Sequence, residues 1–87
     1  MSEEQLLDHI RAFVNEHYMY RHPEITLTDD LDLLESGIID SLGVIELVGE
    51  VEEHFTVPVA DVDVTEENFG SVAGVVRFVS CQRAAAA

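Results

Sequence analysis

LLESGIIDSL, residues 33–42, joins a loop to a long amphipathic stretch. Beyond it, apolar residues recur at helical spacing as far as Val51 and Phe55, which predicts a helix from Ser41 to about His54. The segment therefore places one hydroxyl, that of Ser41, at the start of a helix. A serine at that position is common as a helix cap, so the rest of the sequence must show whether it has a further role.

The N-terminal segment predicts another helix. Ser2 and Gln5 have the spacing of a capping box, in which each side chain binds the other residue's backbone N–H. Apolar residues then follow at intervals of three and four, and the helix is predicted from about Glu3 to Tyr20. Pro23 ends it because proline cannot donate the backbone hydrogen bond of a continuing helix.

The remaining segments complete an all-α prediction. A long loop follows to Asp40, with five apolar residues that can hold it on the core: Ile25, Leu27, Leu31, Leu34 and Ile38. Thr65 is predicted to cap a short helical turn, and Ser71 to cap a last helix with a buried stripe of Val72, Val75, Val76, Val79 and Phe78. We expect a small four-helix bundle with three main helices, one short helix and a long loop between the first two. Residues 1–83 form the predicted domain, and residues 84–87 a disordered tail.

Charge is concentrated in the middle of the chain. The 87 residues have a net charge of −14, with eighteen acids, four arginines and no lysine. Neither arginine nor lysine occurs between Arg21 and Arg77, while the segment from Glu24 to Glu67 holds fourteen of the acids. This charge disfavours nucleic acid and anionic lipid and favours basic protein surfaces, although an acidic surface can also serve solubility alone. With one cysteine, Cys81, and no apolar signal segment or membrane-spanning stretch, we expect a soluble cytoplasmic monomer.

Three kinds of chemical site fail on spacing, so no metal site and no catalytic residue is predicted. A calcium loop starting at Asp30 would need glycine at its sixth position and glutamate at its twelfth, where Glu35 and Ser41 stand. The four histidines include no pair at the i, i+4 spacing of helical zinc ligands. Ser41 lacks the Gly-x-Ser-x-Gly turn of a nucleophile, because Ile39 stands at the position of the first glycine, and His54 would lie about 20 Å further along the same helix.

The remaining role for Ser41 is attachment of a group by another enzyme. A phosphate ester at a helix N-terminus would be stabilised by the free N–H groups and the helix dipole. Local sequence alone favours a simpler interpretation, in which Asp40 is the N-cap and Ser41 is merely tolerated.

The wider pattern resembles the phosphopantetheine carrier proteins of fatty-acid, polyketide and nonribosomal-peptide synthesis. Its parts are Leu31-x-x-Leu34-Glu35-Ser36-Gly37, Asp40-Ser41-Leu42, Glu46-Leu47-Val48 and Glu52-Glu53-x-Phe55. The resemblance implies a non-catalytic carrier in which Ser41 bears 4′-phosphopantetheine, transferred from coenzyme A by a Mg²⁺-dependent phosphopantetheinyl transferase. It also implies an acyltransferase or an adenylating ligase as loading enzyme, and downstream synthases or tailoring enzymes with basic docking patches.

The same resemblance implies a docking surface on the helix that follows Ser41. Its expected partner-binding residues are Asp40, Leu42, Ile45, Glu46, Gly49, Glu50 and Glu53. Gly43 and Gly49 depart from the fatty-acid carriers, which usually have an acid and a bulky apolar residue there. These departures favour a carrier dedicated to a specialised pathway. Three interpretations stay open: an acyl carrier, an aminoacyl or peptidyl carrier, and an unmodified acidic interaction module.

Overall fold

A capping box begins the first helix, α1 (Glu3–His17), in the computed structural model, which describes residues 2–86. The Ser2 hydroxyl accepts a hydrogen bond from the backbone N–H of Gln5 at 3.2 Å, and the Gln5 side chain accepts one from the backbone N–H of Ser2 at 2.8 Å. The predicted start is thus confirmed. The helix ends earlier than predicted, and a 3₁₀ turn (Met19–Arg21) follows it, because Pro23 sets only the latest point at which a helix can end.

The loop before the second helix is held by the core and by backbone hydrogen bonds. The Leu33 N–H donates to the Gly70 carbonyl at 2.8 Å, and the Ala73 N–H donates to the Asp29 carbonyl at 2.7 Å. Leu33 is fully buried, whereas Leu34 is 37% exposed. The sequence prediction named Leu34 as an anchor and was wrong by one residue, because an irregular loop gives no periodicity from which the inward side can be read.

The second helix, α2 (Ser41–Phe55), begins where it was predicted to begin and ends one residue later, at a left-handed C-cap residue, Thr56, with φ of 55°. A second 3₁₀ turn (Asp61–Asp63), which the sequence did not predict, precedes the short helix α3 (Glu66–Phe69). The Thr65 hydroxyl accepts a hydrogen bond from the Asn68 N–H at 3.1 Å, which confirms the predicted cap.

The last helix, α4 (Val72–Ala86), is capped by Ser71, whose hydroxyl accepts a hydrogen bond from the Gly74 N–H at 3.0 Å. It continues past Arg83, where the prediction placed the start of a disordered tail (84–87). Alanine has the highest helix propensity of all residues, which is a physical reason for the extra helical residues. Ala87 lies outside the described residues.

The core lies between α1, the long loop, α2 and α4, and α3 closes one side of it. All five apolar residues predicted for α4 are buried: Val72, Val75, Val76, Phe78 and Val79. Residues 2–86 contain helices, turns and loops but no strand, so the all-α four-helix prediction is confirmed. Within the same residues, no helix has both the length and the apolar character needed to cross a membrane.

Candidate functional site

Ser41 is the first residue of α2 and is exposed to solvent. The cap is supplied by Asp40, whose Oδ1 accepts a hydrogen bond from the Gly43 N–H at 2.9 Å. The Ser41 hydroxyl has no hydrogen-bond partner among the residues that the structure describes. Asp40 therefore stabilises the helix start, and the Ser41 hydroxyl is left available to another molecule at the positive end of the helix dipole.

The segment before Ser41 is fixed to the core. Ile38 and Ile39 are buried, and the Ile39 N–H donates to the Leu33 carbonyl at 3.0 Å. Gly37 has a φ of +82°, a backbone conformation that residues with a Cβ rarely adopt. This turn directs the chain into α2, so the position of Ser41 is set by buried contacts on its N-terminal side.

Gly43 is buried where α2 approaches the preceding loop. A Cβ at this position would lie 2.6 Å from Ile39 Cγ2 and 3.4 Å from Tyr18 Cε1. Close packing therefore explains why this chain has glycine at position 43, where fatty-acid carriers usually have an acidic residue. The sequence alone did not reveal this packing. At Gly49, in contrast, a Cβ would meet nothing within 4 Å. The two glycines thus have different roles despite their similar sequence context.

Apolar residues are exposed on one face of α2. Leu42 and Ile45 are 65% and 66% exposed, and Gly49 is the next residue on the same face at helical spacing. Glu53 continues this face towards the C-terminal end of the helix and is exposed. An exposed apolar patch beside acidic side chains is a candidate protein-docking surface. We call these four residues, Leu42, Ile45, Gly49 and Glu53, the docking face.

Two of the predicted docking carboxylates contact α1 or Tyr18, its C-cap residue, instead of standing free. The Tyr18 hydroxyl donates to Glu46 Oε1 at 2.5 Å, and Glu50 Oε2 lies 2.6 Å from His9 Nε2. Burial, followed by the hydrogen bond to Glu46, raises the pKa of Tyr18 well above its ordinary value. Tyr18 is therefore a neutral donor at physiological pH. The sequence predicted neither contact, because both join residues far apart in the chain.

A cleft of about 410 Å³ lies beside Ser41, between the 3₁₀ turn after α1 and the start of α2. Its lining includes the cationic Arg21, the apolar Leu42, and the carboxylates of Asp40 and Glu46. Sequence reasoning did not find this cleft, because its walls come from two separate segments. Its size and mixed lining suit a flexible group with both polar and apolar parts.

Comparison with known proteins relates the chain to one family. The family model described as "Phosphopantetheine attachment site" matches residues 8–79. A D-alanyl carrier protein from Streptococcus mutans serotype c (strain ATCC 700610 / UA159) is 50% identical over 34 residues. That alignment covers 37% of this chain and 43% of the relative, so the chain spans about two fifths of this relative's length.

Proposed function

This chain belongs to the phosphopantetheine-binding carrier proteins, a non-catalytic family whose members bear covalent 4′-phosphopantetheine, and on that premise we propose that Ser41 is the attachment residue. One observation carries the proposal: Ser41 is exposed at the first position of α2 while Asp40 supplies the cap. The hydroxyl can therefore be esterified without loss of the hydrogen bond that begins the helix.

The surroundings of Ser41 fit the group in charge and in space. A phosphodiester on Ser41 would lie at the N-terminus of α2, where the helix dipole favours negative charge. Arg21 lines the neighbouring cleft and adds a cation on the same side. When bound, the group supplies a terminal thiol that holds the cargo as a thioester. The chain's own contribution is to expose the attachment hydroxyl and to present a docking surface.

Attachment requires an external enzyme. The Ser41 hydroxyl has no hydrogen-bonded base among the described residues, so a phosphopantetheinyl transferase would provide the base and the Mg²⁺ and would use coenzyme A as donor. The exposed Leu42, directly after Ser41, and the exposed Ile45, one turn further on, are suited to apolar contact with such an enzyme. The net charge of −14 would speed its approach if its rim is basic.

For the cargo, we propose an aminoacyl group, with D-alanine as the first amino acid to test. The similarity to a D-alanyl carrier protein supports this choice over a fatty-acyl or polyketide intermediate. Asp40 and Glu46 line the cleft beside Ser41, and when the arm folds back into this cleft their carboxylates can attract the ammonium group of an aminoacyl thioester. The loading enzyme would then be an adenylating ligase.

Attachment can be tested by intact-mass spectrometry. The unmodified chain is incubated with coenzyme A, Mg²⁺ and a broad-specificity transferase, and we expect a gain of one phosphopantetheine group per chain. Ser41→Ala should abolish the gain, whereas Ser80→Ala, which removes a hydroxyl from α4, should not change it. No gain in the wild-type chain would favour the unmodified interaction module, and a gain that survives Ser41→Ala would refute attachment at this residue.

The identity of the cargo is tested on the holo carrier, which bears phosphopantetheine but no cargo. The holo chain is incubated with D-alanine, ATP and a D-alanine-activating ligase, and separately with a fatty acid, ATP and an acyl–carrier ligase. We expect the mass of one alanyl thioester, which is removed by hydroxylamine, in the first reaction. Acylation in the second reaction alone would contradict the aminoacyl proposal while leaving attachment at Ser41 intact.

A further inference from the structure

A cluster of two histidines and one glutamate lies between α1 and α2, away from Ser41. His9 comes from α1, and Glu50 and His54 come from successive turns of α2. One nitrogen of each imidazole and one carboxylate oxygen of Glu50 lie within 4.8 Å of one another. His54 is thirteen residues beyond Ser41, or about 20 Å along the helix. The cluster is thus separate from the proposed attachment site.

The three side chains contact one another and the core residue Phe55. The His9 and His54 rings are stacked, with their centroids 3.7 Å apart and an angle of 15° between the ring planes. Both rings make T-shaped contacts with the ring of Phe55, a core residue. The centroid distances are 5.1 Å for His9 and 5.0 Å for His54. His9 Nε2 lies 2.6 Å from Glu50 Oε2. These contacts keep the three side chains adjacent, so that a turn of the exposed His54 ring is the main change needed to bind an ion.

The three side chains offer the ligand atoms that a transition metal ion of borderline softness prefers. Two imidazoles and one carboxylate are the ligands of open zinc sites, in which a fourth position is left for water or another molecule. The spacing of Glu50 and His54, i and i+4, places both on one face of α2. Hard cations such as Mg²⁺ and Ca²⁺ prefer oxygen ligands, and this site offers them one carboxylate.

Burial and charge also favour a cation at this place. The His9 and Glu50 side chains are 29% and 24% exposed, so part of their hydration is already lost. The chain's charge of −14 attracts divalent cations in general, and the imidazoles would then select among them.

We propose that His9, Glu50 and His54 form a binding site for Zn²⁺ or a similar divalent transition metal ion. Zinc ligands lie about 2.0–2.2 Å from the ion, so the three donor atoms must approach one another from their present separation. His54 is exposed and can turn out of the ring stack so that its nitrogen points at the ion. The bound ion would connect α1 to α2 and neutralise Glu50, which changes the charge beside the docking face.

The test uses the 87-residue chain with Ser41→Ala and Cys81→Ser substitutions. These substitutions prevent zinc from binding a phosphopantetheine thiol or the exposed thiol of Cys81, and they make the result independent of the proposed function. Zinc is titrated by isothermal titration calorimetry in excess Mg²⁺, and the histidine ring signals are followed by NMR. We expect one zinc ion per chain, with ring shifts at His9 and His54.

Ligand variants separate this site from diffuse binding to acidic side chains. His9→Gln, Glu50→Gln and His54→Gln should each weaken zinc binding at least tenfold, because loss of even an outer-shell partner costs about 10–100-fold. His22→Gln, which removes a histidine outside the cluster, should leave the affinity unchanged. Melting curves without metal check that every variant folds. Absence of stoichiometric binding, abolition of binding by Mg²⁺, equal weakening by His22→Gln, or ring shifts outside the cluster would overturn the proposal.

Discussion

The two glycines of α2 offer a quantitative test of the packing around the attachment site. Replacement of glycine by alanine inside a helix stabilises it by about 0.8–1.0 kcal/mol when the new methyl group meets no obstacle. At Gly49 nothing lies within 4 Å of the added Cβ, so Gly49→Ala should gain about that amount. At Gly43 the same methyl group would lie 2.6 Å from Ile39 Cγ2, closer than real Cβ contacts allow.

Relief of that clash is costly because of the residue that causes it. Ile39 is 2% exposed, and its Cγ2 is bonded directly to Cβ, so the methyl group cannot move without a change of rotamer or backbone. Tyr18, whose ring carbon Cε1 would be 3.4 Å from the new Cβ, is itself hydrogen-bonded to Glu46. Overpacking of this kind costs about 1–3 kcal/mol. Gly43→Ala should therefore be less stable than Gly49→Ala by about 1–3 kcal/mol.

The assay is unfolding by urea and by heat, monitored by the far-ultraviolet circular dichroism signal of the α-helices. For a domain of this size, 1 kcal/mol corresponds to a shift in Tm of about 4–8 °C. Gly49→Ala should melt above wild type, and Gly43→Ala at least about 4 °C below Gly49→Ala. Equal Tm values for the two variants, or a higher one for Gly43→Ala, would refute the packing argument.

Three further predictions concern the Tyr18 hydroxyl, the neighbouring carboxyl groups of Asp32 and Glu66, and Leu42 of the docking face. Tyr18→Phe removes the donor to Glu46 and should lower the free energy of unfolding by about 1 kcal/mol, measured by urea denaturation; no change would show that the bond contributes nothing. The hydrogen bond with Asp32 raises the pKa of Glu66 from its ordinary 4.5, so its contribution to stability is present below that value and lost as pH rises. Glu66→Gln should therefore gain stability relative to wild type between about pH 4 and pH 7; the opposite trend in Tm would contradict the pairing. Leu42→Ser should lower transferase kcat/KM at least tenfold, as expected for a contact worth about 1.4 kcal/mol, with an unfolding free energy within about 0.5 kcal/mol of wild type; unchanged kinetics would exclude Leu42 from docking.

Local signals in the sequence were sufficient for most of the secondary structure. Ser2, Asp40, Thr65 and Ser71 all cap the helices predicted for them or for their neighbours, because a cap and the helix that it begins are adjacent in the chain. The apolar stripe of α4 was predicted for the same reason. Ser41 could be singled out from its neighbours in sequence, and the structure adds that its hydroxyl is exposed beside a cleft.

Features that depend on contacts between distant segments could not be predicted from the sequence. The end of α1 at His17 could not be fixed, because Pro23 permits a 3₁₀ turn before it as well as further α-helix. The close packing of Gly43 and the openness of Gly49 depend on what lies opposite each residue. Sequence spacing identifies ligand pairs within one helix and therefore cannot reveal a cluster in which His9 comes from another helix.

The contacts of α2 divide its acidic residues into two groups. Glu46, Glu50 and His54 form a row at i, i+4 spacing that faces α1, as shown by their contacts with Tyr18 and His9. These contacts occupy one acceptor oxygen each of Glu46 and Glu50 and leave fewer acceptor sites for hydrogen bonds with a basic partner.

Glu53 lies next to that row, three residues beyond Glu50, on the docking face and exposed to solvent. Asp40 is exposed as well, but one of its oxygens caps the helix. The apolar contact with a partner would thus centre on Leu42 and Ile45, with Glu53 as its free carboxylate. Because the Glu53 carboxylate makes no hydrogen bond among the described residues, it can pair directly with a basic group of the partner, and Glu53→Gln should lower the salt dependence of docking.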